Sequence, residues 1–260
     1  MDLQEFWLTL KREAQEVAEK EPLLASFVHS CILNHHNFET ALSFILSNKI
    51  ADDVMPTLAV REIFDKAYLL HPQIVDSAIE DIKAVFNRDP AVHSYLTVLI
   101  HFKGFQAIQV HRLAHILWLD KRTDLALFFQ SRNSEAFAVD IHPAARIGRG
   151  VMFDHATGIV IGETAVVEDN VSIMQSVTLG GTGNESGDRH PKIRKGVMVG
   201  SGAKILGNIE IGEGAKVGAG SVVLNNVPAH VTVAGVPAKI VGRPCCECPS
   251  ETMQQNVLED

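Results

Sequence analysis

Along the first half of the chain, apolar residues recur at three- and four-residue intervals. Leu3, Phe6, Leu10 and Val17 fall at helical intervals, and Asp2 and Glu5 stand ahead of them at capping-box spacing. Pro22 suits the first position of a second helix, with Leu24, Phe27 and Cys31 on one face. Phe38, Leu42 and Ile45 mark a third. His71-Pro72 ends a fourth, because the residue before proline disfavours helical backbone. Ile74, Ala78, Ile82 and Val85 make another, and Asp89-Pro90 opens a longer one running through Gly104-Phe105 towards Trp118. The pattern predicts a run of six to eight helices.

After residue 138 the period changes to six. Ile141, Ile147, Phe153, Ile159, Ala165, Val171 and Val177 are evenly spaced. After a break, Ile193, Val199, Ile205, Ile211, Val217 and Val223 resume the spacing. Period six fits neither an amphipathic helix nor a hairpin meander. It fits short strands joined by tight corners, three hexapeptides to each triangular coil. Gly148, Gly200, Gly212 and Gly218 each follow an inward position, where glycine eases a corner. Each coil buries its core only against its neighbours, so the coils must stack. Val177 and Ile193 stand 16 residues apart, four more than two repeats. The excess falls within Gly180-Gly181-Thr182-Gly183-Asn184-Glu185-Ser186-Gly187-Asp188-Arg189-His190-Pro191. Loops thrown out from a rigid scaffold often carry function.

Composition sharpens the boundary. Eighteen of the 19 glycines lie at or after Gly148, and 15 of the 16 aromatic residues lie before Asp140. The expected fold class is α+β: a helical domain over residues 1–138, a parallel β-solenoid over 139–242 and a flexible tail over 243–260. A net charge of −8 and a pI near 5.8 argue against nucleic acid or an anionic membrane as the main partner. No apolar run of about 18 residues predicts a membrane span. Met1-Asp2-Leu3-Gln4-Glu5 lacks the basic start and apolar core of a secretory signal. Of four cysteines, Cys245, Cys246 and Cys248 cluster in the tail, which is no disulfide framework, and a reducing cytoplasm is the simplest setting.

Candidate chemistry is narrow. The loop glycines match neither a P-loop nor a dinucleotide fingerprint. His111-Arg112-Leu113-Ala114-His115 has the histidine spacing of a zinc-protease helix, but Arg112 stands where the general base belongs, so both histidines read as surface or packing residues. Cys245-Cys246-Glu247-Cys248 has no fourth His or Cys nearby, and no metal is expected there. Asp154-His155 and Arg189-His190 differ in kind. The solenoid is poor in histidine, and these pairs, with acidic Asp140 and Glu163 on neighbouring coils, read as one site.

Several motifs resemble serine O-acetyltransferase, a hexapeptide-repeat acyltransferase. They are Val139-Asp140-Ile141-His142-Pro143, Asp154-His155-Ala156-Thr157-Gly158, Ile161-Gly162-Glu163-Thr164-Ala165, Gly180-Gly181-Thr182-Gly183, Gly187-Asp188-Arg189-His190-Pro191 and Ala234-Gly235-Val236-Pro237-Ala238. Arg88-Asp89-Pro90-Ala91 and Lys103-Gly104-Phe105 extend the likeness into the helical part. The resemblance implies a left-handed β-helix, and trimers stacked into a hexamer through the helical domains. It implies transfer of acetyl from acetyl-CoA to the hydroxyl of L-serine, giving O-acetyl-L-serine and CoA, the first step towards cysteine.

A serine hydroxyl is a weak nucleophile and needs a base near neutral pH, for which histidine is suited. By resemblance His155 is that base, Asp140 orients its ring, and His190 binds serine and assists proton transfer. The substrate is a zwitterion. Asp89 and Asp154 are the candidate ammonium partners, Arg189 the carboxylate partner, and Glu163 a supporting residue. CoA is expected between two subunits, on Gly181, Thr182, Ser201 and Ala219, with Lys216 and Lys239 near its nucleotide phosphates. Acetyl-CoA is a co-substrate, with no permanent cofactor and no metal. L-cysteine is an expected feedback inhibitor at the serine site. Many relatives dock O-acetylserine sulfhydrylase through a terminal isoleucine; this chain ends Val257-Leu258-Glu259-Asp260, so docking by that route is not expected. The rivals are a β-helix acetyltransferase with another hydroxyl acceptor, a trimeric zinc lyase resembling carbonic anhydrase, and a non-catalytic scaffold.

Overall fold

The computed structural model describes residues 2–183 and 186–257. Asn184 and Glu185 of the inserted loop, and the terminal Leu258-Glu259-Asp260, lie outside the described residues.

The helical part comprises α1 (Leu3–Lys20), α2 (Ala25–Val28), α3 (Phe38–Ile50), α4 (Thr57–Leu70), α5 (Gln73–Arg88), α6 (Tyr95–His101), α7 (Lys103–Leu119) and α8 (Thr123–Phe137). Side chains cap three of them: Asp2 accepts from the Glu5 N–H at 2.8 Å, Asn37 from Thr40 at 3.0 Å and Ser94 from Thr97 at 3.1 Å. The long helix expected from Asp89-Pro90 is not formed. Asp89 Oδ1 instead accepts from the Ala91 N–H at 2.9 Å, a local turn that competes with helix. Helix resumes at Tyr95 and breaks again at Phe102, which has extended backbone. Gly104 packs so closely on the solenoid that a Cβ there would lie 2.0 Å from the Phe153 carbonyl oxygen.

Fifteen short strands follow among the described residues. The first sheet stacks β1 (Val139–Ile141), β4 (Ile159–Ile161), β7 (Thr178–Gly180), β10 (Lys204–Leu206) and β13 (Val222–Val223). The second stacks β2 (Arg146–Ile147), β5 (Val166–Val167), β8 (Lys192–Ile193) and β11 (Glu210–Ile211). The third stacks β3 (Met152–Asp154), β6 (Ser172–Met174), β9 (Met198–Val199), β12 (Lys216–Val217), β14 (Thr232–Gly235) and β15 (Ala238–Gly242). All pairings are parallel except β14 with β15. The chain passes first sheet to second to third and back, so each circuit closes one triangular coil.

The coil lengths correct the expected register. Ile161 pairs with Leu179 and Ile205 with Val223, 18 residues on in both cases. Ile141, however, pairs with Ile161, 20 residues on, and Leu179 with Ile205, 26 on. The inserted loop therefore holds eight extra residues rather than four, and a further insertion of two residues falls at the corner after Asp154. The smaller one is hidden because each coil side carries two inward residues, two apart. Ala145, Val151, Ile173 and Leu179 are as buried as the six-spaced set. A two-residue slip thus exchanges one apolar slot for the other.

A buried polar clasp joins the two parts. Asp81 on α5 is fully buried and pairs with Arg112 on α7 at 2.6 Å. Asp81 also accepts from Gln109 at 2.9 Å and from the Val151 N–H at 2.9 Å, and Arg112 donates to the carbonyls of Ile147 and Gly148. Two helical turns on, Arg88 donates to Ser172 Oγ at 3.1 Å. In the segment expected to be a flexible tail, Pro249–Thr252 form α9, with Pro249 and Ser250 buried. Ser172 Oγ donates to the Ser250 carbonyl at 2.9 Å.

Candidate active site

The two places where coil length departs from 18 carry the two histidine motifs, and they lie on different edges of the prism. The two-residue insertion turns the chain from the third sheet to the first. Here Asp154 ends β3, and His155 and Ala156 follow at φ of 53° and 61°. Left-handed backbone is unfavourable for residues with a Cβ and clusters at functional sites. The turn projects the His155 side chain outward, 75% exposed, with Nε2 3.8 Å from Asp154 Oδ1. Asp89 reaches this edge from the C-terminus of α5. Burial raises the Asp154 pKa, and the Asp89 charge adds to the rise against the opposing effect of His155. Two carboxylates brought together in this way favour a cationic ligand group. Asp140 lies on β1, and its Oδ1 accepts from Gln130 at 2.7 Å. In the protomer the carboxylate within 4 Å of the His155 ring is that of Asp154, while Asp140 is engaged by Gln130.

The second edge lies where the first sheet turns into the second. The Arg189 guanidinium pairs with Glu163 at 2.7 Å and donates to the Gly187 carbonyl at 3.1 Å. The hydrogen bond from Arg189 holds the Glu163 carboxyl below its usual range. His190 is 7% exposed. Its Nδ1 lies 3.2 Å from the Thr164 N–H and 2.9 Å from Thr164 Oγ1. Burial, and then the Arg189 charge, push its pKa down. The ring lies over Gly162, where a Cβ would meet Nε2 at 2.0 Å. Gly162, Thr164 and Gln130 were given no role by sequence reasoning, although Gly162 and Thr164 sit inside a quoted motif.

The residues expected around CoA divide between the edges. Ser201 and Ala219 stand on the His155 edge in successive coils, and the Gly220 N–H donates to the Ser201 carbonyl at 2.8 Å. Gly181 and Thr182 start the loop on the other edge, and Lys239 is exposed on β15. Lys216 differs from expectation. It is 2% exposed, and its ammonium donates to the Asn256 carbonyl at 2.8 Å, so the docked tail covers it. His111 is buried and His115 Nδ1 is bonded to the Pro143 carbonyl at 2.7 Å, consistent with packing. Cys245, Cys246 and Cys248 are free thiols. Among the described residues, no group of three or more His, Cys, Asp or Glu is placed to hold a metal ion, and no helix is long and apolar enough to cross a membrane.

Residues 6–110 match the family model described as serine acetyltransferase, N-terminal, and residues 190–225 match bacterial transferase hexapeptide (six repeats). A serine acetyltransferase of Salmonella typhimurium is 58% identical over 98% of this chain and 93% of its own length. The chain belongs to the serine acetyltransferase family. It is an acyltransferase, and its solenoid is the left-handed β-helix of the hexapeptide-repeat type, about five turns long. The crystal structure of serine acetyltransferase from Vibrio cholerae superposes on this acetyltransferase with a TM-score of 0.97 at 59% identity, covering 98% of this chain and 99% of that one. Solved serine acetyltransferases in complex with cysteine and with CoA, each 57% identical, give TM-scores of 0.96 and 0.89. They cover 98% and 92% of this chain, and 99% and 100% of their own. Acetyl-CoA is the co-substrate of this family, and L-serine the acceptor.

Proposed function

We propose that the acetyl transfer in this chain is a direct attack within a ternary complex, with His155 as general base. The observation that carries the reading is the pair of coil insertions, one presenting Asp154 and His155 and the other Arg189 and His190. Asp89 and Asp154 take the serine ammonium, and Arg189 takes its carboxylate in a bidentate fork. Glu163 holds Arg189 in place, and His190 contacts serine beside it. His155 accepts the hydroxyl proton as the serine oxygen bonds to the thioester carbonyl carbon. The carbon–sulfur bond then breaks, and the CoA sulfur receives that proton from His155. Gln130 occupies one Asp140 oxygen, which leaves the other for the imidazole, in the orienting role that aspartate plays in hydrolase triads.

The two edges are too far apart to share one serine within a protomer. Gly158 and Gly162 flank β4, and four residues of strand span about 13 Å. A complete site therefore takes one edge from each of two copies, which supports a trimer with CoA in the groove between subunits, along Ser201, Ala219, Gly181 and Thr182. Exposed Leu58, Leu69 and Leu70 on the helical part support stacking of trimers into a hexamer. Lys239 is accessible to the nucleotide phosphates; Lys216 reaches them only if the tail moves. L-cysteine competes at the serine site, its thiol replacing the hydroxyl, and a cytoplasmic setting suits the free thiols. The deciding assay is CoA release with L-serine, homoserine, a galactoside and water as acceptors. L-serine should dominate; equal rates with homoserine or a sugar would overturn the acceptor assignment.

A further inference from the structure

His190 is held more closely than a substrate-contacting residue needs to be. The Thr164 backbone N–H points at its Nδ1 at 3.2 Å. An N–H can only donate, so Nδ1 must offer a lone pair, and the ring proton belongs on Nε2. The Thr164 side chain completes the arrangement. Its Oγ1 accepts from the N–H groups of Arg189 at 3.0 Å and His190 at 3.1 Å, and lies 2.9 Å from Nδ1. One hydroxyl thus fixes the backbone of both substrate-facing residues and meets the ring of one. The missing side chain at Gly162 makes room for the imidazole, with Nε2 at the place a Cβ would occupy. Among the described residues none accepts from Nε2.

We infer that Thr164 is a positioning residue that holds His190 with its proton on Nε2, so that His190 serves as a hydrogen-bond donor to a substrate oxygen rather than as a second base. The assignment rests on the reading of His190 as a serine contact. An imidazole held in this way cannot take a proton at Nδ1 without setting N–H against N–H. At Nε2 it already carries one. It can donate to the serine carboxylate or to the thioester oxygen as charge develops there, which leaves proton removal to His155 alone.

The surrounding charges agree. Arg189, Lys192 and His142 oppose a positive charge on His190, and Glu163 favours one. The Asp188 carboxylate faces the Thr164 hydroxyl and competes for its proton. That competition leaves the backbone N–H, and hence the tautomer, unaffected.

The test compares two sets of variants of the full-length protein in steady-state kinetics. Thr164→Val should raise the KM for serine about tenfold and leave the KM for acetyl-CoA within about twofold. It should also lower kcat/KM for serine by a similar factor, because the hydroxyl that accepts from the Arg189 and His190 N–H groups is lost. Thr164→Ser, which keeps the hydroxyl, should restore both. At His190 itself, a glutamine amide nitrogen mimics Nε2 and an asparagine amide nitrogen mimics Nδ1. His190→Gln should therefore retain about tenfold more activity than His190→Asn. This pair keeps the test open if Thr164→Val folds poorly. Equal inactivity of the Gln and Asn variants would overturn the donor role. Wild-type kinetics in Thr164→Val alongside an impaired His190→Ala would overturn the role of Thr164. Unchanged serine kinetics in His190→Ala would instead remove the underlying reading of His190.

Discussion

The two edges of the solenoid solve opposite problems. On the edge bearing Arg189 and His190, the polar groups are bonded to one another: guanidinium to Glu163, imidazole to Thr164, backbone to the same hydroxyl. On the edge bearing Asp154 and His155, the imidazole is exposed on left-handed backbone, and the carboxylates face each other. The first edge is rigid and preorganised. In the site proposed above, the second is left to be completed by a substrate ammonium and a neighbouring copy. Divided in this way, the proposed site keeps its base apart from its recognition cluster until a second copy brings them together.

The largest expected effect breaks the open edge. His155→Ala should lower kcat for acetyl transfer about 10²–10⁴-fold, read by CoA release, with the assembly intact by light scattering. Near-wild-type turnover would remove His155 as base. The next acts through the helical part, which supports the same edge. Asp81→Ala leaves Arg112 buried without its partner and should cost about 3–5 kcal/mol of stability, measured by denaturant unfolding. A loss below about 1 kcal/mol would show that the clasp does not hold the helical part to the solenoid.

A third effect separates the edges by pH. The Asp154 pKa is raised above the ordinary aspartate value, chiefly by burial, and that of Glu163 is lowered below the ordinary glutamate value, chiefly by the hydrogen bond from Arg189. On the proposed reading, the Asp154 carboxylate that takes the ammonium is lost as pH falls through a value above the usual aspartate one, and Glu163 keeps its charge to a pH below the usual glutamate one. The KM for serine should climb several-fold in that window, and Asp154→Asn should flatten the climb at a higher KM. An unchanged limb in Asp154→Asn would place the titration elsewhere. The smallest effect tests the rigid edge. Arg189→Ala should raise the KM for serine about tenfold. Glu163→Gln, which only loosens a half-exposed ion pair, should raise it about two- to threefold. An effect confined to acetyl-CoA would contradict both.

Much of this was legible in the linear pattern, and the failures are instructive. The helix faces, the period of six and the interrupted repeat follow from apolar spacing alone, because burial of a helix stripe or a coil corner is a local requirement. The residues of both edges were found through motifs. The two-residue insertion beside His155 was missed because both inward slots of a coil accept Ile or Val, so the slip left the apolar pattern intact. The helix expected from Asp89-Pro90 failed because the Asp89 side chain turns back on Ala91.

By itself the sequence determined the two kinds of core and the residue types of the site, since side-chain hydrophobicity and spacing are properties of the chain. Tertiary structure decided which groups meet. It brought His155 near Asp154 in the protomer, engaged Asp140 with Gln130, buried Lys216 under the tail and aimed the Thr164 N–H at His190 Nδ1. Each of these is a contact between residues 10 to 40 positions apart or a consequence of local turn geometry, fixed only when the coils stack and bring particular donors within reach of particular acceptors.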